Sequence, residues 1–478
     1  MTRTFIIPGD LSHLSAVNEF LDARTCGILL NIAMPQAEAR RSASCPSQFA
    51  ERLFTLESLT RPARDSIDAR DRDLYDRALR AILGDARVYY LASRTYFDSA
   101  LNSTVVIERV IVNALRIMRA TAPHRLVSSS TPHSVEAWVF ARCFESAGLP
   151  VFVLERTPIN NRAWIYRGLD AQQVVARGAQ TAPALSEYTR MQVREQIESK
   201  AGARDARGFY VSRMDLSSVK GAESNRWWSL RREFPLLFAG RLLTMPLRAA
   251  SIFRKRQLFR SYRRHEVSAL PDTPFVIFFM HYQPERSSLP EGLFHTQQLI
   301  ALRQIADAMP KGWTLLVREH PTIWLLPLDI SVRSADYFEQ VAALPNTKLC
   351  PMDVDTFELI DRSAAVATLT GSVGFQALLR NKPAIVFGLP AYKDHPACFS
   401  AGSFADLERA FEELQRPDFA QHFSPESLEK YLLWVESNSI VADDRERDWL
   451  TARLKNFREL YRQISAGELL PTEAPGTR

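Results

Sequence analysis

Between Pro274 and Gly388 the sequence repeats one pattern, and that pattern admits few folds. Short apolar runs, "PFVIFF", "WTLLV", "TKLC", "AAVATL" and "PAIVFG", alternate with segments of helical period. Those segments are "TQQLIALRQIADAM", "ADYFEQVAAL", "DTFELID" and "VGFQALLR". Apolar runs without polar alternation read as strands buried on both faces, and strand–helix alternation builds a mostly parallel sheet. The expected class is α/β, with a Rossmann-type domain over residues 270–415.

The first 180 residues carry a weaker version of the same alternation. Strands are expected at "TFIIP", "GILLNIA", "VYYLAS", "RLVSSS" and "PVFVLER", and helices at "ALNSTVVIERVIVNALRIMRA" and "SVEAWVFARCFESAG". Gly148 supplies the stop of the second helix. This predicts a second Rossmann-like domain over 1–180, joined through a basic helical insert or linker at 181–269. Amphipathic helices and a loose tail follow at 416–478. Two such halves predict a substrate cleft between them.

Charge and cysteine usage narrow the setting. Five cysteines in 478 residues are odd in number and never form C-x-x-C, which excludes a disulfide framework and fits a reducing cytoplasm. The amino terminus, "MTRTFIIPGDLSH", is too short in apolar residues for a signal peptide and reads as a strand. No window approaches the roughly 20 apolar residues of a membrane span. The net charge of +6 is partly local, in "RKRQLFRSYRR" from Arg254 to Arg264. With Trp227 and Trp228 upstream, this stretch suits either peripheral contact with an anionic membrane or a solvated helix face. No nucleic-acid partner is expected.

Three polar loops follow strands of the 270–415 region, and ligands in open α/β sheets collect outside the carboxyl ends of strands. "MHYQPERSS" brings His281, Gln283, Glu285, Arg286, Ser287 and Ser288. "REHP" brings His320 and Pro321 after Leu315–Val317. "TLTGSVGF" brings Thr370, Gly371 and Ser372 to the start of a helix, whose free amides favour an anion. Each has a structural alternative: Ser372 as an N-cap, His320 as a core histidine, Glu285 and Arg286 as a surface pair. Their convergence on one sheet edge is what points to a ligand. There is no P-loop, no G-x-G-x-x-G, no G-x-S-x-G, no H-E-x-x-H and no clustered metal ligands, so neither a metal nor another cofactor is expected.

These motifs resemble the capsule polysaccharide biosynthesis family, which includes bacterial Kdo transferases. The resemblance rests on "FFMHYQPERSSLPEG" with Gln297, "LLVREHP", "DTFELIDRSAAVATLTGSVGFQALLRNKPAIVFG" and Tyr392, across Pro274 to Pro396. It implies a GT-B glycosyltransferase with two Rossmann-type domains facing across a cleft. It also implies a nucleotide-activated sugar donor (CMP-Kdo in the Kdo enzymes), with His320, Thr370 and Ser372 on the donor phosphate and no metal. Family members often carry Glu where this chain has Gln376, which bears on nucleotide choice.

The acceptor, a glycan or lipid-linked glycan, is expected at "SSSTPHSVEAW" of the first domain. There Glu136 suits a base, with His133 orienting it. Asp98 is a second candidate base, and a helix start at Thr131 or Ser134 with Glu136 in its first turn is the structural alternative. Two other functions fit the same loops. One is a transferase moving glycerol phosphate from CDP-glycerol; the other is a non-catalytic scaffold of a polysaccharide assembly complex.

Overall fold

The computed structural model describes residues 2–9, 22–31, 36–41, 47–62, 66–96, 100–159, 162–170, 172–177, 184–198, 245–283, 286–325, 333–441, 457–464 and 469–471. They form two compact units, Met1–Gln192 with Leu428–Arg478, and Val193–Ser427. The first unit contributes β1 (Thr4–Gly9), β2 (Thr25–Leu30), β3 (Leu53–Thr55), β4 (Arg125–Ser128), β5 (Val151–Arg156), β6 (Arg162–Arg167) and β7 (Gln173–Arg177). The second contributes β8 (Phe275–Phe279), β9 (Thr314–Arg318), β10 (Thr347–Leu349), β11 (Ala365–Thr368), β12 (Ala384–Val386) and β13 (Cys398–Ser400). The chain then adds β14 (Ile440–Val441) and β15 (Leu469–Pro471) to the first.

In the first unit β3-β2-β1-β4-β5 run parallel. β6 and β7 then extend the sheet antiparallel, and β14 and β15 pair with them. The antiparallel extension departs from the mostly parallel expectation for a simple reason. The link from Arg156 to Arg162 is too short for the crossover that a parallel neighbour requires. Ile6, Ile28, Val127 and Ile165 form one face of the core with Phe457, Leu460 and Ile464 from the chain's end. The Tyr461 hydroxyl lies 3.0 Å from the Thr25 hydroxyl and donates to Asp22 (2.8 Å).

"VYYLAS", expected as a strand, is instead part of the helix Ala86–Tyr96. Its composition is strand-like, but the residues it buries, Val88, Leu91 and Ala92, recur at helical spacing. The period, not the composition, decides. The expected helices at Ala100–Thr121 and Val135–Ser146 form, and Gly148 takes a φ of 74° just past the second.

The second unit is a six-stranded sheet in the order β10-β9-β8-β11-β12-β13, with every pairing parallel. Counted from its first strand, the order is 3-2-1-4-5-6, that of a Rossmann sheet. Side chains of β8 alternate between two apolar layers: Val276 and Phe278 in one, Phe275 and Ile277 in the other. The helix Met245–Arg264 presses Leu258 and Tyr262 into the first layer, where Tyr262 meets Phe338 edge-on at 4.9 Å. Both halves are thus α/β and Rossmann-type, as the alternation predicts. Among the described residues no helix is long and apolar enough to cross a membrane.

The loop between β12 and β13 buries His395, whose Nδ1 accepts the Ala397 N–H at 3.1 Å. Burial, with the nearby His422, pushes its pKa from 6.5 down to about 4. The unfolded chain therefore binds a proton that the folded chain refuses across that window. The resulting stability is full above pH 6.5 and is lost as pH falls toward 4, by about 3 kcal/mol. Urea unfolding at stepped pH should show this loss, and His395→Gln should flatten it. An unchanged slope would exclude His395 as its source.

Candidate functional site

β9, β8 and β11 are consecutive neighbours, with Phe279 level with Arg318 and Phe278 level with Ala367. The strand order reverses between β8 and β11, and at such a reversal the connections leave in opposite directions and open a crevice. The loops after these three strands are therefore brought to one edge.

The charges at the end of β9 go to three different places. Arg318 reaches sideways to the Thr356 hydroxyl (3.4 Å) and the Met352 carbonyl (3.2 Å). Glu319 is fully buried and accepts from Nε (3.0 Å) and Nη2 (3.3 Å) of Arg333, itself fully buried. The Glu319 carboxylate also accepts the His320 N–H at 2.8 Å. Burial works against the Arg333 charge, and the Glu319 carboxylate together with Tyr337 outweighs it, so its pKa lies above the ordinary value. His320 is half-buried, its ring tilted 6.2 Å from that of Tyr282. Pro321 then leads into a helical turn, Thr322–Leu325, and its carbonyl accepts the Trp324 N–H.

At the end of β8, His281 is buried and its Nε2 accepts the Thr370 N–H at 3.1 Å. An accepting Nε2 assigns the ring proton to Nδ1. Gln298 pairs with the His281 backbone as a strand partner would, accepting its N–H (2.7 Å) and donating to its carbonyl (3.0 Å). Gln298 also donates to Gln283 (3.1 Å), which donates to the Thr296 carbonyl (2.6 Å). Arg333 closes the network on the Gln283 side-chain oxygen (2.9 Å) and the His281 carbonyl (3.1 Å).

At the end of β11 the Thr370 hydroxyl donates to the Ser287 carbonyl, and Tyr392 donates to that of Gly371. Gly371 is the N-cap of the helix Ser372–Leu379. A side chain there would come within 2.8 Å of the Thr368 hydroxyl and 3.4 Å of His281 Nε2. The cap therefore brings no side-chain oxygen; its carbonyl accepts the Gly374 N–H at 3.0 Å, and the amides of Ser372 and Val373 receive no side-chain cap. Ser372 is exposed at the first helical position and is not the N-cap. Gln376 follows one turn later on the same face, half-buried. Gly374 packs against Tyr392, where an added Cβ would overlap the hydroxyl.

The structure thus gathers His281, Gln283, Ser287, His320, Pro321, Thr370, Gly371, Ser372 and Gln376 at one sheet edge. Glu285 and Asp98 lie outside the described residues, and so does the side chain of Arg286, which opens a short helical turn, Arg286–Ser288. In the first unit Ser134 caps its helix, accepting the Ala137 N–H (3.3 Å) and donating to Asn31 (2.7 Å). Glu136 is buried in the first turn, where the helix dipole favours a carboxylate, and His133 is half-buried just ahead of it. Among the described residues no three His, Cys, Asp or Glu side chains gather as around a metal ion. Sequence reasoning missed Arg333 and Gln298, which follow no strand end and match no motif.

Comparison with known proteins finds a family match over part of this edge. The profile of the family described as capsule polysaccharide biosynthesis protein matches residues 294–395. No curated protein matches the chain. Among solved structures it is similar to Thermosulfurimonas dismutans KpsC, a beta Kdo 2,7 transferase, at 12% identity and TM-score 0.26, over 66% of this chain and 84% of that one. It is also similar to MnaA of S. aureus in a UDP co-structure, at 11% identity and TM-score 0.25, over 100% of both chains. The UDP-GlcNAc 2-epimerase of Methanocaldococcus jannaschii follows at 12% identity and TM-score 0.26, over 98% of this chain and 100% of that one. Such scores say nothing about what this chain binds. The family resemblance read from the strand-end motifs is borne out over residues 294–395, where the chain matches the capsule polysaccharide biosynthesis proteins.

Proposed function

We propose that this protein is a glycosyltransferase of surface polysaccharide synthesis that takes its sugar from a nucleotide-activated donor. The observation that carries this reading is the strand-order reversal between β8 and β11, where His281 ties down the Thr370 amide beside a helix start without a side-chain cap. Opening helix amides whose turn is held in advance suit a phosphate, because they need no reorganisation as charge develops on the leaving nucleotide. His320, on the adjacent strand end, donates to that phosphate. Gln376 contacts the ribose, where an uncharged amide replaces the family's carboxylate. CMP is the nucleotide and Kdo the sugar that the family resemblance favours.

On the acceptor side, Glu136 accepts the proton of the attacking hydroxyl and His133 orients it. Both stand just beyond β4, at the corresponding strand-order reversal of the first sheet, where β1 and β4 are neighbours. The acceptor is a glycan, lipid-linked at an anionic membrane surface. The helix Met245–Arg264 suits that surface, with Phe253 68% exposed and Arg260 and Arg264 also exposed. Trp227 and Trp228 lie outside the described residues.

Thermal-shift screening with CMP, CDP, UDP and GDP should pick out CMP, since a ligand that binds only the folded state raises its melting temperature. His320→Ala should keep the urea midpoint and lower transfer by about 100-fold or more, with Ser372→Ala milder. Glu136→Gln should lower transfer without changing CMP binding. If no nucleotide shifts the melting temperature, or folded His320→Ala turns over normally, the phosphate-site reading is wrong.

Vesicle flotation tests the surface contact. Binding should rise with anionic lipid, and reversing the charges of Arg256, Arg260 and Arg264 should abolish that rise. Equal flotation on neutral vesicles would leave the helix as a solvated face.

A further inference from the structure

We propose that Arg333 is a positioning residue for the donor site, one guanidinium that sets the loops of two strands at once. The proposal rests on the phosphate-site reading above. Arg333 is fully buried, and its side-chain nitrogens donate to the Glu319 carboxylate, the Gln283 side-chain oxygen and the His281 carbonyl. From Glu319 the chain of bonds reaches the backbone of His320; from His281 it passes through the imidazole to the Thr370 amide. The backbone of His320 and the turn that leads into the Ser372–Leu379 helix therefore share one anchor.

The geometry needs an arginine. Three acceptors in different directions match the fixed fork of a guanidinium, whereas an ammonium is a single point charge. The plane is held from outside as well, with its centre 4.8 Å over the Tyr337 ring. The Arg333 carbonyl accepts from Arg254 at 2.8 Å. Nothing in this arrangement leaves the guanidinium open to ligand, so Arg333 acts through its neighbours. A displacement of reacting groups by a fraction of an ångström to one ångström is what its loss should cause, and such shifts cost about 100-fold in rate.

The test separates holding the fold from holding the site. Arg333→Met alone should lower the urea midpoint, because it strands a buried carboxylate. Adding Glu319→Gln removes that charge and should restore the midpoint. Positioning predicts that this restored protein still exchanges amide hydrogens faster in peptides covering 369–371, binds CMP more weakly by calorimetry, and transfers about 100-fold more slowly. Wild-type exchange and wild-type CMP affinity in the restored double variant would reduce the pair to a structural one and overturn the proposal. Should the double variant not regain its midpoint, Arg333→Lys decides: it keeps the charge opposite Glu319 but not the span to Gln283 and His281. Its predicted signature is a near-normal midpoint with fast exchange at 369–371, and normal exchange there would overturn the proposal. If wild type binds no CMP, the phosphate reading falls, and the exchange measurement alone judges Arg333.

Discussion

A carboxylate buried without any exposure at the end of a central strand is costly unless it is paired and fully bonded, and Glu319 is both. The described site depends on that pairing. Replacing the pair by apolar side chains would leave the core no less stable in principle, so burial alone does not account for it. What an ion pair adds over a hydrophobic contact is direction. Arg333 must satisfy its remaining donors, and the acceptors within reach belong to the loop after the neighbouring strand.

Direction at Arg333 becomes geometry at the sheet edge. His281 is held from both sides, its backbone by Gln298 and Arg333 and its ring by the Thr370 amide. Gly371 allows that approach, since any side chain there would collide with Thr368. Tyr392 fills the space that Gly374 leaves and ties the Gly371 carbonyl. These contacts are internal, and they leave the helix start and the exposed Ser372 facing outward. A rigid interior behind an open row of donors is the arrangement that electrostatic preorganisation requires.

Much of this was legible in the sequence, for reasons that can be named. Buried parallel strands are continuous apolar runs, so β8, β9 and β11 announce themselves, and the polar residues that follow mark their ends. "VYYLAS" misleads because aromatic and β-branched residues suit both a strand and a crowded helix face, and only burial at 88, 91 and 92 separates the two. Gly371 reads from sequence as a turn and Ser372 as a possible cap; the cap is Gly371, because His281 and Thr368 crowd that position. Arg333 was illegible. Its partners, Glu319, Gln283 and His281, are separated from it by 14, 50 and 52 residues, and no periodicity links positions brought together only by the sheet.

The central claim is that one phosphate is held between His320 and the Thr370–Ser372 turn. A crystal structure with bound CMP tests it most directly. The account predicts the phosphate within hydrogen-bond distance of the His320 imidazole and of the amides that open the Ser372–Leu379 helix. The ribose should lie toward Gln376. A nucleotide bound elsewhere, or a phosphate at this edge that touches neither His320 nor the helix amides, would contradict it.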